Sequence, residues 1–154
     1  MKETARIADQ LERAYSGKAW HGPSLRSLLR GISAEQAAQR PIPGAHTIWE
    51  LALHAAAWDG VACERILGGT RTSLPPDENF PAVTDTSEAA WKKALKELEQ
   101  QHRALAAAIR KFPDAKLDRK LGGGDHSFYI TMHGAVQHDL YHAGQIAVLK
   151  KLVQ

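Results

Sequence analysis

Two of the eight histidines in this 154-residue chain, His138 and His142, stand four apart inside the apolar run QHDLYHAGQI. On a helix, residues four apart lie about 40° from each other around the axis and one turn apart along it, so both imidazoles can reach one ion. The spacing alone is a weak signal, because two polar histidines at the edge of a helical bundle satisfy it equally well. The residue after His138 is Asp139 and not a glutamate, so the metal-plus-base arrangement of HExxH proteases is not indicated. A catalytic zinc takes three protein ligands and leaves one position open, which makes a third donor the deciding question. His54, in ELALHAAAW, is the best candidate. Glu50, Leu51, Trp58 and Val61 fall within about 60° of it on a helix, and the alanines that follow leave room for close approach.

The remaining histidines compete poorly for that role. His21 and His126 fall in loop-like sequence, His102 is alone on its helix, and His133 is about 140° from His138 around a shared axis. His46 reads as a first-turn polar residue, with the mouth of a site as its alternative. Tyr141 and Gln145 adjoin the histidine pair and are candidate pocket residues that could orient a water or a substrate, with packing and helix-surface roles equally open to them. Asp139 points about 100° away from His138 and reads as a surface or supporting carboxylate. Trp49 and Trp58 read as core or interface aromatics. The single cysteine, Cys63 in GVACERIL, excludes an intramolecular disulfide and reads as a buried, inert thiol.

The elements that must position these residues are helices. Residues 3–15 carry Ile7, Leu11, Ala14 and Tyr15 at helical spacing. SLRSLLRG and SAEQAAQR read as short helices, the second opened by a capping box of Ser33 and Gln36. A second long helix spans about 46–67 and ends at Gly68 and Gly69. The stretch GTRTSLPPDENFPAVTDTS has three prolines and no helical period, so it reads as a loop. A third helix, about 87–111, starts at a cap from Thr86 or Ser87 and repeats Trp91, Leu95, Leu98, His102, Leu105 and Ile109. A fourth, about 130–152, follows the turn-forming GGGD. Strands have little support, although LDRKLGGGDHSFYI could form a small hairpin. Three helices of over twenty residues predict an all-α four-helix bundle in one domain, residues 1–154. The long link between the second and third helices can span the bundle, so those two could be parallel.

Composition excludes several classes of function. Twenty basic and seventeen acidic residues are mixed along the chain, without the basic block that marks a nucleic-acid surface or a polybasic anchor. No segment has 18 uninterrupted apolar residues, and the charged N-terminal stretch lacks the apolar core of a signal peptide. The expectation is a soluble, cytoplasmic protein that binds neither nucleic acid nor membrane.

Taken together, HTIWELALHAAAW and the downstream HGAVQHDLYHAGQIAVLKK resemble the DinB and YfiT-like superfamily, over essentially the whole chain. One histidine on the second helix, then HxxxH followed by the tripeptide Gly144, Gln145 and Ile146, carries the resemblance. It implies up-down-down-up helix order and a divalent metal held by His54, His138 and His142. Family members with known chemistry include S-transferases that use bacillithiol and an isomerase that uses mycothiol. Apolar helix surfaces and Trp91 leave room for a homodimer, toward which the resemblance also points.

Three neutral imidazoles leave an ion its full positive charge, which favours deprotonation of a thiol or water that reaches it. The leading expectation is a metal-dependent transferase that joins a low-molecular-weight thiol to a small electrophile. Metal-assisted hydrolysis is the nearest enzymatic rival. A noncatalytic bundle with a structural metal or a ligand-binding role is the reading from another class. Imidazole suits zinc, nickel, iron and copper, and the sequence does not identify the metal.

Overall fold

Each long stretch with helical period forms a helix in the structure, a computed structural model that describes residues 1–122 and 124–154. The long helices are α1 (Glu3–Tyr15), α4 (Ile48–Ile66), α6 (Glu88–Lys111) and α7 (Phe128–Val153), with short helices α2 (Leu25–Leu29) and α3 (Ala34–Ala38) between the first two. No strand occurs among the described residues; the expected hairpin is reduced to an isolated bridge between Lys120 and Ser127. The link that reads as a loop contains one further helical turn, α5 (Pro76–Asn79), opened by Pro76 and by Asp77 and Glu78 in its first turn.

Local chemistry explains where the helices begin. Ser33 and Gln36 form the expected capping box, and Thr47 and Glu50 form a second one at the start of α4. Each box satisfies backbone donors that the first turn leaves without intrahelical partners. Ser87 and Ser127 cap α6 and α7 by accepting from Ala90 and Ile130. The start of α1 is capped from a distance: the Asp114 carboxylate accepts from the Glu3 N–H at 2.7 Å and from the Thr4 hydroxyl at 2.7 Å. That contact fastens the first helix to the 3-10 turn after α6, and the Thr4 hydroxyl bond lowers the Asp114 pKa.

The helices α1 and α4 each pack against both α6 and α7. Two apolar clusters fill the interior. One gathers Trp49, Leu51, Trp91, Leu98, Ile146 and Leu149; the other gathers Ile7, Leu11, Ile66, Leu105, Ile109 and Met132. Trp49 and Trp91 lie in the first turns of α4 and α6 and meet at 5.0 Å between ring centroids. The two helices therefore start side by side and run in the same direction, as the long link permits. Against α7 the direction reverses, since His54 near the start of α4 meets His142, while Arg65 at its end shares a cavity with Ile130.

Trp91 requires a correction. It is 1% exposed and donates its indole N–H to the Ile32 carbonyl at 2.9 Å, so it belongs to the core and offers nothing to a dimer surface. The large apolar side chains that α7 leaves exposed include Ile130, Tyr141, Val148 and Leu152. Among the described residues no helix is long and apolar enough to cross a membrane.

Candidate metal centre

The histidine of α4 and the two of α7 converge. Nε2 of His138 lies 3.1 Å from Nε2 of His54 and 3.1 Å from Nε2 of His142. The outer nitrogens are already engaged: His54 Nδ1 donates to the Asn79 carbonyl at 2.8 Å, and His142 Nδ1 donates to Gln145 Oε1 at 2.6 Å. A neutral imidazole carries one proton, so these bonds leave both Nε2 atoms as lone pairs. His138 Nε2 has at most one proton to share between them. Hydrogen bonding among the three rings cannot satisfy all three inner nitrogens, whereas one cation with nitrogen bonds of about 2.0–2.1 Å can. The donor set fits a divalent ion, and the two outer bonds are the kind that fixes tautomer and ring orientation at metal-ligating histidines.

Electrostatics favours the same state. Burial is the first cause that lowers the pKa of all three rings, and His142 and His54 lower His138 further, to about 3. The imidazoles are therefore neutral and able to donate at neutral pH. The sign of the linked stability effect follows. As pH falls below the unfolded histidine value of about 6.5, the unfolded chain takes up protons that the metal-free folded site refuses, so the site's contribution is present above that pH and lost toward about 3. Acidification from about pH 7 to about pH 5 should thus destabilise the metal-free chain more than its His138→Ala variant. Parallel urea midpoints for the two proteins would show that the depressed ring does not matter.

The residues around the centre come largely from the link. Phe80 stacks on His54 at 4.1 Å and, on its other face, on His46 at 3.5 Å. Trp58 donates its indole N–H to the Asn79 side-chain oxygen at 2.8 Å, which holds the α5 turn over the site. Asn79 and Phe80 are contributors that the sequence reading missed. The signal was present in PPDEN, where proline at the first helical position precedes two acidic residues, a helix-start pattern inside an apparent loop.

Of the candidate pocket residues, Gln145 touches His142 directly. Tyr141 is 66% exposed and meets the His142 ring edge-on at 5.1 Å. The face of α7 that bears the pair is therefore not wholly inward, since Tyr141 and Gln145 reach solvent while His142 is buried. His46 stays exposed and bonds Glu50 at the start of α4. Gln145→Ala should weaken metal binding about 10- to 100-fold by freeing the His142 ring to rotate and exchange tautomer. Competition with a chromogenic chelator measures this, and an unchanged constant would show that the Gln145 bond is incidental.

A cavity of about 290 Å³ lies between α4 and α7 and reaches the centre at His138. Trp58, Val61, Ala62 and Ile130 give it apolar walls, and Arg65 and Gln137 supply polar ones. Among the described residues the buried Nε of Arg65 has no hydrogen-bond partner.

One expectation needs correction beside this site. Asp139 is neither a surface group nor a partner of the histidine centre: it is fully buried, on the far side of its helix from solvent. His102, the single histidine of α6, stays apart from the histidine centre as expected, but it lies 3.6 Å from Asp59 and 3.8 Å from Asp139 through Nδ1. Asp59, which the sequence reading did not single out, completes this second polar group. Cys63 is partly buried, and burial raises its thiol pKa, which agrees with an inert role.

Comparison with known families gives a match to the model described as the DinB superfamily, over residues 19–146. No curated protein and no solved structure matches the chain.

Proposed function

We propose that this chain, which belongs to the DinB superfamily, is a metal-dependent transferase that joins a low-molecular-weight thiol to a small electrophile. The observation that supports this reading most is the convergence of three imidazole nitrogens beside an open cavity. When bound, a divalent ion such as zinc, nickel or iron supplies Lewis acidity that favours the ionised form of an arriving thiol. His54, His138 and His142 would hold it, while Asn79 and Gln145 keep the outer ring protons in place. Trp58, Val61 and Ile130 exclude water from one side of the approach, which strengthens every charge interaction within it. The Arg65 guanidinium on the cavity wall, whose Nε has no hydrogen-bond partner among the described residues, suits a substrate or cosubstrate that carries a carboxylate. The exposed apolar stripe of Ile130, Tyr141, Val148 and Leu152 is the surface through which a homodimer would form.

The test is a panel of small thiols and electrophiles, offered to protein purified without oxygen and analysed for its metal content. Consumption of free thiol together with a conjugate of the summed mass minus the leaving group supports transfer. Turnover of ester or amide substrates without any thiol would replace the proposal with metal-assisted hydrolysis. Metal binding without turnover of either kind would favour a noncatalytic bundle.

A further inference from the structure

The mechanism proposed above leaves unexplained a polar group buried inside the bundle. Asp59 of α4, His102 of α6 and Asp139 of α7 are 1%, 3% and 0% exposed. Among the described residues Asp59 Oδ2, both oxygens of Asp139 and both ring nitrogens of His102 have no hydrogen-bond partner. A buried polar atom left without a partner costs about 1–3 kcal/mol, and more if it is charged, so five such atoms in one place call for a physical cause.

We propose that Asp59, His102 and Asp139 form a second divalent-cation site, separate from the three-histidine centre. Geometry is the first support. Three hydrogen-bonded groups would draw together to about 2.6–2.9 Å, but His102 Nδ1 stands 3.6 Å from one carboxylate and 3.8 Å from the other. Those separations lie within a few tenths of an ångström of the edge of a tetrahedron built on metal bonds of about 2.1 Å, which is about 3.4 Å. One ligand atom from each residue lies within 4.8 Å of the other two.

Charge is the second support. Two carboxylates balance one divalent cation, and a neutral imidazole completes a hard, mixed oxygen and nitrogen set suited to a first-row ion such as manganese, iron or zinc. Tyr15 stacks on the His102 ring at 4.0 Å and limits its rotation. An entry route exists as well, because Asp59 also lines the cavity that reaches His138. Three different helices contribute, so occupation would tie α4, α6 and α7 together at mid-bundle.

The experiment is zinc titration of the metal-free full chain, with elemental analysis after dialysis and anomalous diffraction at the zinc edge from soaked crystals. Wild type should bind two equivalents, His54→Ala should keep one, and Asp59→Asn should also keep one, at the histidine centre. The asparagine retains shape but removes the charge and one donor oxygen. If Asp59→Asn does not fold, the remaining equivalent in His54→Ala and an anomalous peak among Asp59, His102 and Asp139 still support the site. One equivalent in wild type and none in His54→Ala would overturn it, as would extra zinc that persists in Asp59→Asn without a peak at the three residues.

Discussion

Alanine in place of His54, His138 or His142 is expected to weaken divalent-metal binding at the histidine centre on the order of 100- to 1000-fold, with little change in helicity. The magnitude follows from sharing an affinity of about 10–16 kcal/mol for a four-ligand zinc site among its ligands, which assigns about 3–4 kcal/mol to each. Loss of any one ring leaves two lone pairs, too few for a closed inner set in a partly open site. The folded state should survive, because none of the three rings belongs to either apolar cluster of the core. His54→Ala should also release the Asn79 carbonyl and loosen the Phe80 stack, so its effect should spread into the α5 turn more than that of His142→Ala. Titration with a competing chelator beside far-ultraviolet circular dichroism would check both halves. Wild-type affinity in all three variants would remove the site.

The convergence of the three histidines was legible because helical period and residue spacing are both local. The four-residue step between His138 and His142 sets their angle from sequence alone, and the apolar face around His54 sets which way it points. Capping was legible for the same reason, as at Ser33 and Gln36. What escaped was long-range. Asp139 lies on a helix of low amphipathic contrast, apolar around most of its circumference, so an angle measured from His138 could not say whether it faced solvent or a third helix. Asp59 was not singled out and His102 read as the lone histidine of its helix, and only packing of α4 against α6 brings them within 3.6 Å. Trp91 shows the converse error, since a large aromatic at helical spacing fits a core and an interface equally until its indole N–H finds the Ile32 carbonyl.

Removal of metal by a chelator is expected to abolish thiol conjugation entirely while the bundle stays folded. The fold does not need the ion as a zinc finger does: two apolar clusters and the Asp114 clasp on α1 hold the helices independently of the histidine centre. The proposed reaction does need it, because a thiol of ordinary pKa near 8.5 is mostly protonated at neutral pH and three neutral imidazoles carry no charge that could ionise it. Lowered pKa values also make those rings poor proton donors, so they cannot substitute for the cation's charge. The decisive measurement pairs activity with helicity in the stripped protein and after addition of zinc, nickel or iron. Restoration by at least one ion, with constant helicity throughout, is the expected result. Full conjugating activity in the stripped chain would refute the metal-dependent reaction. Collapse of helicity on stripping would instead make the ion a structural clamp between α4 and α7, and would move the function away from catalysis at the three histidines.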